Sequence, residues 1–242
     1  TYIDSLSNLL SVEQAGNLTG ISAIWTKSYS SDKANYLLKH DGSVWTWGGT
    51  GDESGRIDPV RIVGLTDITT ISRNMYVDYI LALKKDGTVW GVGNREISQA
   101  INNPPTYTAT QVNGITDIIA IANPTDIEGA RTFYALKNDG TVWAWGDNNY
   151  GRLGDGTELS RQTPAKVVGL TNVTAIFTTF DGNNIYAIKA DGTLWAWGKI
   201  SWGVSQPDGD GVNNHFTSIP VQLMGLSDIV AVIGRFYMTK SN

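Results

Sequence analysis

The chain contains no cysteine, which excludes disulfides, thiolate nucleophiles and sulfur-ligated zinc together. Histidine is nearly as scarce, with two in 242 residues, and leaves little for imidazole catalysis or metal ligation. Charged residues make up only 17%, with Lys+Arg 18 against Asp+Glu 23 and a net charge of −5. A net acidic chain without an arginine cluster is a poor polyanion binder, so nucleic acid is not an expected partner. No apolar run approaches the ~18–20 residues that a membrane-spanning helix needs. The chain starts at Thr1 with neither an initiator Met nor a signal-like segment, so a processed or trimmed N-terminus is expected. Glycine and tryptophan, at 27 and 9, are abundant and point to many tight turns around a β-rich interior. With 41% hydrophobic residues the chain can bury a core, and its length suits one all-β domain.

An internal repeat organises the sequence. Residues 38–48 (LKHDGSVWTWG) recur at 83–93, 136–146 and 188–198, with the Asp-Gly pair at Asp41, Asp86, Asp139 and Asp191. A second block, Gly64-Leu65-Thr66-Asp67-Ile68, recurs from Gly114, Gly169 and Gly225, and in degenerate form at Asn17-Leu18-Thr19-Gly20-Ile21. Each period of about 50 residues reads as four short strands, exemplified by 67–72, 79–84, 88–93 and 59–63, the last starting at Pro59 and matched by Pro164 to Val168 and Pro220 to Met224. Asp-Gly between the second and third strands predicts a two-residue hairpin with φ > 0 at both positions.

The expected fold is therefore an all-β propeller of four-stranded blades, one domain over 1–242, with repeats at 17–63, 64–113, 114–168 and 169–224. The fifth repeat, 225–242, ends on Tyr237-Met238-Thr239-Lys240, while Thr1-Tyr2-Ile3 matches the third-strand register. Five blades are expected, the last completed by residues 1–16, so that both termini close the ring and leave no unpaired edge.

These blocks resemble the regulator of chromosome condensation repeat family. The family's Leu-x-x-Asp-Gly turn and aromatic-x-Trp-Gly strand recur here. Its Gly-x-Asn-x-x-Gly-x-Leu-Gly loop stands intact once, at Gly146-Asp147-Asn148-Asn149-Tyr150-Gly151-Arg152-Leu153-Gly154. The resemblance spans about 17–240 and implies the propeller fold. Its functional implication is broad, because fold does not set function: relatives exchange guanine nucleotide on a GTPase, sense light through clustered tryptophans, or inhibit β-lactamases. The Trp-Ala-Trp-Gly strands at 143–146 and 195–198 are closer to the bacterial type, so an extracellular or cell-surface setting on a bacterium is expected.

Within an antiparallel blade, connections one–two and three–four leave from one side and the others from the opposite side. The second set is short and nearly constant; the first is long and differs in every repeat. Long loops on a rigid scaffold are where binding sites concentrate. Tyr29, Tyr76, Tyr107, Tyr150, Phe180, Trp202, His215 and Phe216 fall on that variable side and are the candidate binding residues. Aromatic anchors favour a protein partner. Asp52, Glu53, Asp58, Glu96, Asp126, Glu128, Asp208 and Asp210 lie there among Arg56, Arg73, Arg95, Arg131 and Arg152, and mixed sign suits a specific protein surface.

Other readings are weaker. The tryptophan pairs 45/47, 143/145 and 195/197 share one strand face opposite small Thr46, Ala144 and Ala196, a large-against-small pattern that suits blade packing. Asp147, Asn149, Asp155 and Glu158 match part of a calcium loop, but Arg152 stands where that loop needs glycine. No motif assembles His215 with Ser201 or Ser205 into a triad, and no glycine-rich segment has a P-loop ending. The sequence thus predicts a non-catalytic, monomeric protein-binding module without metal or cofactor, an inhibitor of a secreted enzyme being one such case. A carbohydrate-binding propeller is the alternative, and nucleotide exchange follows from family analogy alone.

Overall fold

The computed structural model describes residues 19–25, 34–48, 59–73, 79–93, 109–123, 131–178, 184–200, 215–224, 229–233 and 237–240. The first sheet contains β1 (Ile21–Trp25), β2 (Ala34–Lys39), β3 (Val44–Gly48) and β4 (Val60–Arg61). The second contains β5 (Ile68–Arg73), β6 (Tyr79–Lys84), β7 (Val89–Gly93) and β8 (Thr110–Gln111). The third contains β9 (Ile118–Ala122), β10 (Thr132–Lys137), β11 (Val142–Gly146) and β12 (Arg161–Lys166). The fourth contains β13 (Val173–Thr178), β14 (Asn184–Lys189), β15 (Leu194–Ile200) and β16 (His215–Gln222). Strands pair in chain order within each sheet, and β17 (Ile229–Ile233) pairs with β18 (Tyr237–Lys240) as a two-stranded ribbon. Four sheets therefore match the expected blade, while residues 1–16, expected to complete the last, lie outside the described residues.

The chain forms two compact units, one holding most of the first two sheets, the other the third, the fourth and the ribbon. In the first unit, Tyr36, Leu38 and Val44 of the first sheet bury against Ile68, Ile71, Ile80, Ala82 and Val92 of the second, with Ile62 and Leu65 from the turn between them. The second unit shows the large-against-small packing directly. Ala144 of the third sheet and Trp197 of the fourth share one core cluster, with Trp195 packed at its margin. Burying a tryptophan removes about 200 Å² from water, on the order of 5 kcal/mol before the entropy cost. The tryptophan strands are thus packing devices.

The Asp-Gly hairpins differ from the expected two-residue turn. Gly42, Gly87, Gly140 and Gly192 have φ of 74°, 79°, 76° and 75°, whereas none of the preceding aspartates has positive φ. In the first hairpin the Gly42 amide donates to Lys39 O at 2.9 Å and the Lys39 amide to Ser43 O at 3.0 Å. That is a three-residue loop ending in a left-handed glycine. The aspartate stays right-handed because its side chain caps the turn. Asp41 Oδ1 accepts from the Ser43 amide at 2.9 Å and its hydroxyl at 2.6 Å. Asp86, Asp139 and Asp191 do the same with Thr88, Thr141 and Thr193. The hydroxyl then accepts an indole N–H in three repeats: Trp45 to Ser43 at 3.0 Å, Trp143 to Thr141 at 3.2 Å and Trp195 to Thr193 at 3.1 Å.

These hydrogen bonds have a pH signature. The Ser43 or Thr side-chain hydroxyl first, then its amide, holds the Asp41, Asp139 and Asp191 carboxyls below the usual carboxylate range. An unfolded aspartate titrates near about 3.9. Their contribution is therefore complete above that value and is lost as pH falls through the lower folded values. The triple variant Asp41→Asn/Asp139→Asn/Asp191→Asn is expected to show a shallower fall in urea stability below about pH 4 than the parent. Parallel acid limbs would refute the assignment.

Successive sheets are tied at these hairpins. The Ile68, Ile118, Val173 and Ile229 amides donate to Gly42, Gly87, Gly140 and Gly192 O at 3.0, 3.0, 3.0 and 3.2 Å. The residue just before the first three, Asp67, Asp117 or Asn172, has φ between 56° and 59°, which short polar side chains tolerate better than most residues. One residue into the strand, the Thr69 and Thr174 hydroxyls donate to Leu83 and Ile188 O at 3.1 and 3.2 Å. The third sheet has Ile119 there, 57% exposed. Ile119→Thr is expected to leave thermal stability within about 0.5 kcal/mol or raise it, despite removing a large apolar side chain.

The fourth strands of the third and fourth sheets start earlier than the sequence suggests, at Arg161 and His215 rather than at Pro164 and Pro220. Both prolines sit inside the strand. Register shifts between Ala144 and Gly146 and between Ala196 and Gly198 leave bulges at these points. A bulged edge strand accommodates a residue that has no N–H.

Candidate functional site

The intact family loop, 146–154, leaves β11 and returns as a wedge between the third and fourth sheets. Gly146 (φ 102°) turns the chain, and Asp147 locks the turn: its amide donates to Arg131 O at 2.9 Å, and its Oδ2 accepts the Arg131 amide at 2.8 Å. Asn148 is fully buried. Its Nδ2 donates to Thr157 O at 2.9 Å and Leu159 O at 3.1 Å, while its Oδ1 accepts the Leu153 amide at 2.8 Å. The Arg152 carbonyl accepts two buried donors, Tyr134 Oη at 2.7 Å and Trp197 Nε1 at 2.9 Å, one from each sheet. Burial pushes the Tyr134 phenol far up, with the Arg152 charge acting the other way, so it stays a neutral donor.

Arg152 was expected among the exposed charges and is instead fully buried. The turn aims its side chain inward, where Nε donates to Asn149 O at 3.0 Å. Two of the three calcium-like carboxylates, Asp147 and Asp155, are engaged in holding the loop. Asp155 Oδ1 accepts from the Thr157 amide and hydroxyl at 3.0 and 2.7 Å, and Arg161 Nε donates to Oδ2. Burial pushes the Asp155 carboxyl up, but the Thr157 and Arg161 hydrogen bonds outweigh it and hold the group below the usual range. Among the described residues, no group of three or more acidic or imidazole side chains could hold a metal.

The wedge carries Tyr150 outward in a short 3-10 turn, Asn149–Gly151, with φ 62° and ψ 25°. A left-handed non-glycine residue costs about 1–3 kcal/mol, and such strain clusters at functional sites. The Tyr150 ring meets Phe216 of β16 edge-on, with centroids 6.2 Å apart at 62°. Lys199 Nζ lies 4.9 Å from the Tyr150 centroid, and Lys199 is the register partner of Phe216 across β15 and β16. Phe216 is 47% exposed, and Ile219 of the same strand 49%. The loop is seated by the Gly156 amide, which donates to Ser218 O at 2.9 Å, and by Gly151, where a Cβ would stand 2.5 Å from Ser218 Cα.

Two expected binding residues, Tyr150 and Phe216, are thus brought together from positions 66 apart in the chain. Phe216 lies on a strand rather than in the expected loop, and His215 is the first residue of that strand. Tyr29, Tyr76, Tyr107, Phe180 and Trp202 lie outside the described residues. Lys199 was not singled out from the sequence; its place just after a Trp-Gly strand end, where β15 continues beyond the repeat, is the signal that marks it.

Sheets of this topology, joined hairpin to first strand, define a β-propeller repeat protein with a loop-built aromatic patch. Residues 139–178 match the family model described as regulator of chromosome condensation (RCC1) repeat. The chain resembles the RCC1-like repeat family. It is 32% identical over 211 residues to the human E3 ubiquitin-protein ligase HERC2, a match that covers 79% of this chain and 4% of that protein. It is 24% identical to the protein pim1 of Schizosaccharomyces pombe, over 86% of this chain and 43% of pim1. Human WBSCR16 is similar in structure, with a TM-score of 0.63 and 21% identity, covering 89% of this chain and 56% of that one. Prp20p of Saccharomyces cerevisiae, studied for binding to Gsp1p and histones, gives a TM-score of 0.59 at 15% identity, over 85% of this chain and 50% of its own. The chain thus spans about half of these solved structures and less than half of these curated relatives. These relatives are eukaryotic and lend no support to the expected bacterial origin.

Proposed function

We propose that this chain is a non-catalytic protein-binding module whose partner docks on the variable connections, anchored at Tyr150 and Phe216. The observation that carries the reading is a part-exposed aromatic pair held in place by a strained, hydrogen-bonded wedge. Rigid aromatic side chains next to buried scaffold are favoured interface anchors, because little entropy remains to be lost on binding. Lys199 over the Tyr150 ring adds a charge that selects an acidic or carbonyl-rich partner surface. Family relatives studied for protein binding, such as Prp20p, agree with a protein partner.

The test is affinity capture from extract and culture fluid with the parent and with Tyr150→Gly/Phe216→Ala as baits. Glycine removes the ring and also relieves the left-handed strain, so the thermal stability of Tyr150→Gly is expected to hold or rise while capture weakens. A hot-spot loss of about 1–4 kcal/mol is expected for the pair. Equal capture by both baits removes this patch from the reading. Saturable sugar binding by the parent would instead favour the carbohydrate reading, since both rings can stack on a sugar face. Accelerated release of labelled nucleotide from a GTPase would favour exchange activity.

A further inference from the structure

The turns that lead from the last strand of one sheet to the first of the next place one exposed residue before a glycine: Val63-Gly64, Asn113-Gly114, Val168-Gly169 and, by sequence, Met224-Gly225. In three repeats that residue is apolar; Val63, Val168 and Met224 are 72%, 41% and 78% exposed. In the second repeat it is Asn113, and Asn113-Gly114 is the only Asn-Gly pair in the chain. Both residues are exposed. Gly114 has φ 89°, and nothing lies within 4 Å of the position a Cβ would take. Among the described residues no hydrogen bond holds either residue of the pair, whereas the flanking Val112 amide is fixed to Val89 O at 2.8 Å.

We propose that Asn113 is a site of spontaneous modification, converting to aspartate and isoaspartate through attack by its own backbone. The Gly114 nitrogen bonds to the Asn113 side-chain carbonyl carbon. The bond from that carbon to Nδ2 breaks, and the Gly114 amide proton leaves with the amino group as ammonia, giving a cyclic imide. Water, the single co-reactant, opens the imide. Addition at the side-chain carbon gives aspartate; addition at the backbone carbon gives isoaspartate, with the chain rerouted through the side chain. No electrons are gained or lost. Glycine matters because a Cβ on the attacking residue would crowd the approach.

The five described Asp-Gly pairs, at Asp41, Asp86, Asp139, Asp155 and Asp191, could form the same imide, but the fold restrains them. Each Oδ1 is held by the hydroxyl and amide of the residue two positions on. The Gly42, Gly140 and Gly192 nitrogens donate to lysine carbonyls at 2.9 Å, and Gly156 donates to Ser218 O at 2.9 Å. A carboxylate kept ionised also resists loss of its oxygen. The hydrogen bonding that defines the repeat thus protects its Asp-Gly turns and leaves Asn113 reactive. The consequence is local. Either product takes the net charge from −5 to −6. Isoaspartate also lengthens the backbone two residues before Ile115, which is 4% exposed, and so loosens the approach to the Ile118–Gly87 junction.

The test incubates the folded full chain at mildly alkaline pH, with isoelectric focusing, isoaspartate-specific methyl labelling and peptide mapping by mass spectrometry. Expected is a growing, more acidic species with label in the peptide containing residue 113 before any of the five aspartates. Asn113→Val, which copies the sister turns, and Asn113→Gln, whose longer side chain closes the ring poorly, should both lose the acidic species and the label. Label appearing first at any of those five aspartates, or conversion at 113 only after unfolding in urea, would overturn the proposal.

Discussion

Trp197→Ala is expected to lower stability by about 3–5 kcal/mol, read as a fall in the urea midpoint with the slope unchanged. Trp197 is fully buried, meets Tyr134 edge-on with centroids 6.2 Å apart, and donates Nε1 to the Arg152 carbonyl at 2.9 Å. Its removal empties the junction of two sheets and takes a donor from a buried carbonyl. Trp197→Phe separates the two effects. It retains most of the apolar area and loses only the hydrogen bond, so about 1–2 kcal/mol is expected. Trp195→Ala should cost less than Trp197→Ala, because Trp195 is half-buried and its indole N–H is satisfied within its own hairpin. An equal loss at both positions would mean that the wedge does not couple the sheets.

Gly146→Ala is expected to prevent folding of the second unit or to cost more than about 4 kcal/mol, a range reserved for a few specific mechanisms. A Cβ there would stand 1.8 Å from Arg131 O and 2.9 Å from Arg131 C. Neither atom can yield: Thr132 is the register partner of Gly146, and Arg131 O already accepts the Asp147 amide. Gly169→Ala is the control. Its φ is 72° but nothing lies within 4 Å, so only the left-handed backbone penalty of about 1–2 kcal/mol applies. Similar losses in the two variants would show that backbone conformation, not the close approach to Arg131, makes Gly146 necessary.

Much of the fold was legible because its determinants are local. The Asp-Gly-Ser/Thr hairpin is set by residues within five positions of one another, so its recurrence located β2, β3, β6, β7, β10, β11, β14 and β15 closely. The turn class was not legible, because Asp-Gly suits two hairpin types and the choice rests on where the aspartate side chain finds its hydrogen bonds. The fourth strands were displaced because Pro164 and Pro220 read as strand starts, while bulges let the edge strands run past them.

The site was legible only in its parts. Aromatic residues on the variable side could be picked out one at a time, but nothing local says that Tyr150 meets Phe216, that Lys199 lies over the ring, or that Arg152 points inward. By itself the sequence determined the repeat, its period, the strand order within a sheet and the side on which the connections vary, since these follow from periodicity and turn chemistry along the chain. Only the tertiary structure decided which aromatics converge, which charge is buried and which turns are chemically protected. Those outcomes depend on one sheet packing against the next, where a carbonyl such as that of Arg152 is shared between Tyr134 and Trp197, residues far apart in sequence.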